Sequence, residues 1–143
     1  MPKGKVVKIN KVMPFSPPGA ENSYISKMLI DAENSGSQDM QLNHGILKGG
    51  CFTPGAVHEG HDEIYIVLSG SAKLNLDNVE YDIEKGSVVF IPGGAFHALV
   101  NKSQTKDFEI ITIWAGTPRP GANEVYDLRK KAWGTTYREI DRK

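Results

Sequence analysis

Three of the chain's four histidines lie close to a glutamate or to a glycine-rich turn. His58, His61 and Glu63 fall within one short segment, and His97 follows a Pro-Gly-Gly turn further along the chain. Imidazole nitrogens and carboxylate oxygens are ligands for divalent transition metals, and strand ends hold such ligands rigidly. The pattern therefore indicates a metal site built at the ends of β-strands.

The residues around His97 follow a fixed spacing. From Gly86 to Asn101 the chain reads Gly, five residues, Pro-x-Gly, two residues, His, three residues and Asn. This segment resembles the second conserved motif of the cupin superfamily at every fixed position. The segment from Gly50 to Gly70 resembles the first motif, with both glycines, the second histidine and the glutamate in place.

The resemblance implies that His58, Glu63 and His97 bind a divalent metal ion. One position departs from the motif, because Ala56 stands where metal-binding cupins have the first histidine of a His-x-His pair. Two histidines and one carboxylate still match a facial triad that holds non-haem iron and leaves positions open. The same ligands suit iron, manganese, zinc or nickel. A metal-free site, in which Ala56 marks a lost ligand, is the alternative.

Two neighbouring side chains are candidates for proton transfer. Tyr65 follows Glu63 by two residues, so strand alternation points both side chains to one face. The Tyr65 hydroxyl either contacts a substrate, which it polarises or protonates, or fills the core. His61 precedes Glu63 by two residues. It is a candidate fourth ligand, a candidate catalytic acid or base, or a solvated loop residue.

Other polar side chains have structural interpretations. His44 shares a strand face with Leu42 and Ile46 and is interpreted as a core or interface histidine. Cys51 is interpreted as a small buried thiol. The basic run that starts at Arg129 is interpreted as the solvated face of a helix.

Short strands separated by turn residues dominate the chain, which has 15 glycines and 8 prolines. Strands are predicted where Val, Ile, Tyr or Phe are frequent between turns: Lys5–Val12, Tyr24–Ile30, Met40–Leu47, Glu63–Leu68, Ala72–Leu76, Val79–Ile83, Val88–Ile91, His97–Val100 and Phe108–Trp114. Asp77-Asn78 suits a tight hairpin, and residues 33–39 are predicted to form a loop. One helix is predicted at Glu124–Ala132, with Asn123 as N-cap and Gly134 as its stop.

This pattern predicts an all-β fold. The resemblance specifies a jelly-roll, that is, the double-stranded β-helix of a cupin barrel. We assign residues 5–116 to one barrel domain and residues 117–143 to a short C-terminal extension. The resemblance also implies a homodimer, which would cover the second apolar face of the strand that begins at Glu63.

Composition narrows the function classes. Among 143 residues, 17 Lys and Arg balance 17 Asp and Glu, so the basic excess of a nucleic-acid or anionic-membrane protein is absent. The single cysteine excludes an internal disulfide. With no apolar run of membrane-spanning length, we expect a cytoplasmic protein that binds neither nucleic acid nor membrane.

Two classes of function remain open. The first is a metal-dependent enzyme acting on a small polar molecule, such as a sugar or a carboxylate, by dioxygenation, isomerisation or epimerisation, or lyase chemistry. The second is a metal-free cupin. It would either bind a small ligand as a sensor or isomerise a substrate with His and Tyr as acid and base.

Overall fold

The structure is a computed structural model that describes residues 4–116 and 124–140 of the chain. Its strands are antiparallel and form two sheets. The strands are β1 (Tyr24–Ile30), β2 (Met40–Leu47), β3 (Glu63–Ser69), β4 (Ser71–Leu76), β5 (Val79–Glu84), β6 (Val88–Ile91), β7 (His97–Asn101) and β8 (Phe108–Ala115). The helices are α1 (Ala32–Ser35) and α2 (Glu124–Trp133). The predicted all-β fold is confirmed.

The two sheets enclose one apolar core. The larger sheet has the order β1-β2-β8-β3-β6, and the smaller has the order β5-β4-β7. Both sheets contribute inward side chains to the core, including Val67 and Phe108 from the larger sheet and Leu74 and Leu99 from the smaller. Because strand side chains alternate between faces, every second residue of β3 and β8 points inward, as their burial patterns show.

Strand register places polar side chains at one end of this interior. Glu63, the first residue of β3, pairs with Trp114 near the end of β8, and Tyr65 pairs with Thr112. An isolated bridge outside the named strands pairs Ala56 with His97, the first residue of β7. Residues far apart in sequence thus meet where β3, β7 and β8 begin or end.

The predicted hairpin between β4 and β5 is present. Asp77 and Asn78 have φ values of 48° and 68°, the left-handed conformation that a two-residue hairpin of this twist requires. At the C-terminus, Gly134 has a φ of 73° and its N–H donates to the carbonyl of Lys130, as expected of a residue that ends a helix. The predicted N-cap Asn123 lies outside the described residues.

Two predicted elements are wrong. Lys5–Val12 is not an edge strand; it contains a single 3-10 turn at Ile9–Lys11 and one bridge from Val12 to Glu139. Residues 33–39 are not entirely loop, because Asp31 caps the short helix α1 by accepting a hydrogen bond from the backbone N–H of Asn34. Alternating Lys and Val resembled a strand, but this segment pairs with residues that follow α2 instead of joining a sheet.

The C-terminal helix α2 packs on the larger sheet and the N-terminal arm. Trp133 stacks edge-on against Phe15 with ring centroids 5.4 Å apart, and Phe15 forms a backbone bridge with Ser26 on β1. The boundary that we predict near residue 117 adjoins residues 117–123, which lie outside the described part. No helix in the described residues is both long and apolar enough to cross a membrane.

Candidate metal centre and cavity

Three predicted ligands lie together at the end of the barrel interior. His58, Glu63 and His97 each offer one ligand atom, and these atoms all lie within 4.8 Å of one another. His97 Nε2 is 3.6 Å from Glu63 Oε1. His97 and Glu63 are buried, and His58 is half-buried. The two nitrogens and one carboxylate converge as a divalent ion requires.

Glu63 is a buried carboxyl whose charge is poorly compensated by the protein. Burial raises its pKa from 4.5 to about 8, and hydrogen bonding with the Trp114 side chain lowers it only in part. Its Oε1 atom is buried and has no hydrogen-bond partner. Since buried carboxylates require compensation by hydrogen bonds or charge, this oxygen fits a cation.

His97 is held with its Nε2 atom toward Glu63. The Nδ1–H of its ring donates to the backbone carbonyl of Ala95 at 3.2 Å, which leaves Nε2 with a free lone pair. Burial lowers the pKa of His97, which favours the neutral imidazole. A backbone carbonyl that fixes the second nitrogen is the usual support of a metal-binding histidine.

Ala56 faces the same cavity as the three ligands. Its N–H donates to the carbonyl of His97 at 2.9 Å, and the His97 N–H donates back at 3.0 Å. Residues paired in this way across an antiparallel bridge project their side chains to the same side, and Ala56 lines the cavity. The residue that departs from the sequence motif is therefore adjacent to the ligand cluster.

The cavity has a volume of about 330 Å³ and a mixed polar and apolar wall. Tyr65 lies in this wall, edge-on to the His97 ring with centroids 6.2 Å apart. Burial raises the pKa of Tyr65 well above 10, so its hydroxyl keeps its proton at neutral pH. The structure thus brings Tyr65, one of the two candidates for proton transfer, into the cavity wall with the three candidate ligands.

His61 lies apart from the ligand cluster. Its ring centroid is 5.8 Å from that of Trp114, whereas the His58 centroid is 4.5 Å from the same indole. The His61 Nδ1 is 3.2 Å from the carbonyl of Ala115, to which it can donate. His61 is buried and not solvated as a loop residue would be, and the structure does not bring it among the grouped ligands.

The other singled-out residues have roles away from the cluster. His44 is buried on the outer face of β2, with Nε2 3.0 Å from Glu109 Oε1, in keeping with the interpretation of a structural histidine. Asn101 donates to the carbonyls of Leu47 and Lys48, so it ties the end of β7 to the segment after β2.

Sequence reasoning missed three side chains of the cavity wall. Trp114, Tyr24 and Arg129 all line it. The interpretation of Arg129 as part of a solvated helix face is wrong, because only 1% of the residue is exposed. Its position three residues after Tyr126 and four before Trp133 places it on one face of α2, a spacing from which its burial could have been inferred.

The Tyr24 side chain lies against Gly45, where a larger residue would not fit. A Cβ built at Gly45 would lie 2.5 Å from the Tyr24 hydroxyl oxygen, closer than any normal contact. Burial raises the pKa of Tyr24 to about 12, with further contributions from Glu63, which raises it, and Arg129, which lowers it. The Tyr24 hydroxyl therefore lies within electrostatic range of both the ligand cluster and Arg129.

Replacement of Gly45 by alanine should displace Tyr24 and destabilise the protein. Overpacking of this kind costs about 1–3 kcal/mol, although Gly to Ala without a clash is slightly stabilising. Gly4→Ala is the control, because no atom lies within 4 Å of a Cβ at that position. Chemical denaturation of both variants measures the difference. Equal stability of the Gly45 variant and the wild type would contradict this packing.

Residues 44–114 match the family model Cupin_2, described as a cupin domain. Among curated proteins, the chain is 32% identical over 77 residues to convicilin of Pisum sativum. That alignment covers 51% of this chain and 20% of convicilin, so the chain spans about a fifth of that relative's length.

Solved structures show the same fold. KdgF from Halomonas sp. is similar with a TM-score of 0.70 and 16% identity, over 82% of this chain and 98% of that chain. The polyketide cyclase RemF from Streptomyces resistomycificus is similar with a TM-score of 0.70 and 22% identity, over 91% and 94% of the two chains. A predicted oxalate decarboxylase from Thermotoga maritima has a TM-score of 0.64 and 21% identity, over 79% and 100%. At these identities the similarity establishes the fold alone.

Proposed function

This protein is a member of the cupin superfamily through its cupin domain at residues 44–114, and we propose that it is a divalent-metal-dependent enzyme acting on a small polar organic molecule. The proposal rests on one observation. Ligand atoms of His58 and His97 lie close to the carboxylate of Glu63, whose buried Oε1 atom has no hydrogen-bond partner. A cation at this point compensates the carboxylate and uses the free lone pair of His97 Nε2.

The bound ion would act as a Lewis acid toward a substrate oxygen, because three protein ligands leave coordination positions open. The protein itself supplies orientation and a proton. The Ala95 carbonyl fixes the His97 ring, and Trp114 covers one side of the cluster beside His58. The Tyr65 hydroxyl retains its proton at neutral pH and is the donor in the cavity wall.

Ala56 favours a second candidate, a metal-free cupin. In that case His97 and Tyr65 would serve as base and acid for an isomerisation, or the cavity would bind a ligand without turnover. The buried Glu63 would then be protonated at neutral pH, since its pKa is about 8. Metal content separates the two candidates, because only the first requires an ion.

Ala56→His should strengthen metal binding. The side chain at position 56 projects to the same side as His97, so an imidazole there adds a fourth ligand next to the cluster. We expect the dissociation constant for Zn(II) to fall by about tenfold or more, the scale on which supporting residues change metal affinity. Competition with a chromophoric chelator measures it.

The control for this variant is Ala98→His, since Ala98 adjoins His97 on β7 and strand alternation points it to the other face. Its Zn(II) affinity should match the wild type. Unchanged affinity in Ala56→His, or equal gains in both variants, would contradict the placement of the metal beside His97.

A further inference from the structure

Arg129 is a buried cation in the wall of the cavity. Among the described residues it is the largest side chain that is fully buried. Its guanidinium Nη2 donates a hydrogen bond to the Ser26 hydroxyl at 2.7 Å. It approaches the cavity from α2, whereas the metal-ligand cluster lies at the ends of β3 and β7. Helix α2 thus contributes a positive charge to a site that is otherwise built on strands.

The charge of Arg129 is incompletely compensated. Its Nε atom is buried and has no hydrogen-bond partner, and among the side chains that the structure describes the guanidinium forms no ion pair. Its strongest electrostatic partners are Tyr24, which keeps its proton at neutral pH, and Asp31, whose carboxylate already accepts hydrogen bonds from Asn34 and Thr136. The Phe15 ring, with its centroid 5.6 Å from Cζ, supplies a further cation–π contact.

A buried guanidinium with a free donor fits one class of ligand. Its planar fork matches a carboxylate through parallel hydrogen bonds, and such charge-assisted bonds are among the strongest in proteins. Burial lowers the pKa of Arg129 only to about 10, so the group stays charged at neutral pH. Arg129 is the one Lys or Arg in the described cavity wall, which suits a single negative charge better than a phosphate dianion.

We propose that Arg129 binds a carboxylate of the substrate, so that the cavity takes a small organic acid between α2 and the His58–Glu63–His97 cluster. The part of this proposal in which the other end of the acid reacts at the His58–Glu63–His97 cluster rests on the proposed metal-dependent function. The binding of the carboxylate group rests on Arg129 alone. Tyr24 also lines the cavity and interacts electrostatically with both Glu63 and Arg129. The cavity volume of about 330 Å³ accommodates a small organic acid.

The test is calorimetric titration of the metal-free protein with pyruvate, 2-oxobutyrate and levulinate. Each acid is compared with its neutral amide, and inorganic phosphate is titrated as a third class of ligand. At least one acid should bind, and its amide should bind about tenfold or more weakly, because a hydrogen-bonded charge pair is lost. Binding of no acid, equal binding of acid and amide, or tighter binding of phosphate that depends on Arg129 would overturn the proposal.

Variants assign the effect to the residue. Arg129→Gln should weaken binding of the acid by about 10- to 100-fold and leave metal stoichiometry unchanged. Lys130→Gln, the exposed neighbour on the same helix that pairs with Glu33, should bind the acid as the wild type does. Acid affinity that is unchanged in Arg129→Gln would overturn the proposal.

A second variant covers the case in which Arg129→Gln does not fold. Ser26→Ala removes the hydroxyl that orients the guanidinium and should weaken acid binding by about threefold to tenfold; wild-type affinity in this variant would overturn the proposal. A wild-type protein that takes up no metal but binds acid through Arg129 would refute the metal enzyme and support the carboxylate site.

Discussion

His97→Ala is expected to abolish divalent-metal binding, and with it the proposed activity, while leaving the barrel folded. The backbone of His97 keeps both hydrogen bonds to Ala56 in the variant, because neither involves the side chain. The lost imidazole contributes one of the three grouped ligand atoms. We expect metal affinity to fall by more than about 100-fold, since even residues that only support ligands contribute 10- to 100-fold.

Elemental analysis and circular dichroism measure the two parts of this prediction. His44→Ala is the matched control, because His44 is equally buried but lies on the outer face of β2 beside Glu109. It should retain wild-type metal content. Retained turnover in His97→Ala without metal would exclude the metal-dependent mechanism and favour acid–base isomerisation.

Glu63→Gln is expected to abolish metal binding and, in the metal-free protein, to stabilise the fold. The carboxyl pKa is raised from 4.5 to about 8 by burial, which corresponds to a destabilisation of about 3 kcal/mol at pH 7. Glutamine has the same shape and no charge, so it relieves this cost. One substitution can both stabilise the fold and abolish metal binding, because functional sites often retain groups that lower stability, such as a buried carboxylate.

The pH dependence of stability follows from the same shift. Below pH 4.5 Glu63 is protonated in both the folded and the unfolded states. As the pH rises toward about 8 the unfolded state ionises and the folded state does not, so stability falls; above that pH the loss is complete. The stability of the metal-free wild type relative to Glu63→Gln should therefore fall from pH 5 to pH 8, because the lowered pKa values of His44 and His97 act in the opposite direction but are present in both proteins.

Urea denaturation of metal-free protein across this pH range measures the free energy of unfolding. Glu80→Gln is the control, since Glu80 is an exposed partner of Lys73 at 3.8 Å, and surface pairs of this kind contribute little to stability. It should follow the wild-type curve. A Glu63→Gln protein that is less stable than the wild type at pH 7 would contradict the uncompensated burial of this carboxyl.

Much of the ligand cluster was predictable from sequence because strands impose a simple rule. Residues two apart share a face, so Glu63 and Tyr65 had to point the same way once β3 was recognised. The resemblance to the two cupin motifs implied the rest, since it identified His58 and His97 as the positions of metal ligands. The bounds of β1, β2 and β6 agree with the predicted ones for the same reason: apolar strands end at turn residues.

The errors share a different cause, which is packing between distant segments. Arg129 belongs to a basic run, and the docking of α2 on Phe15 and Ser26 buries it; its spacing from Tyr126 and Trp133 is the one local signal of that burial. His61 is covered because its ring packs beside Trp114, a contact that local sequence does not specify. The segment that ends at Val12 does not form the predicted strand. Val12 pairs instead with Glu139, near the other end of the chain.

The most direct test of the proposed function is the metal content of untagged protein, purified without chelator and reconstituted in turn with Fe(II), Mn(II), Ni(II) and Zn(II). The ligand cluster predicts near-stoichiometric binding of at least one of these ions, and loss of that ion in His97→Ala. Iron would direct the search for a reaction toward oxygen chemistry, and the other ions toward isomerase or lyase chemistry. A protein that retains no divalent ion after reconstitution would contradict the metal-dependent function and leave a metal-free cupin in its place.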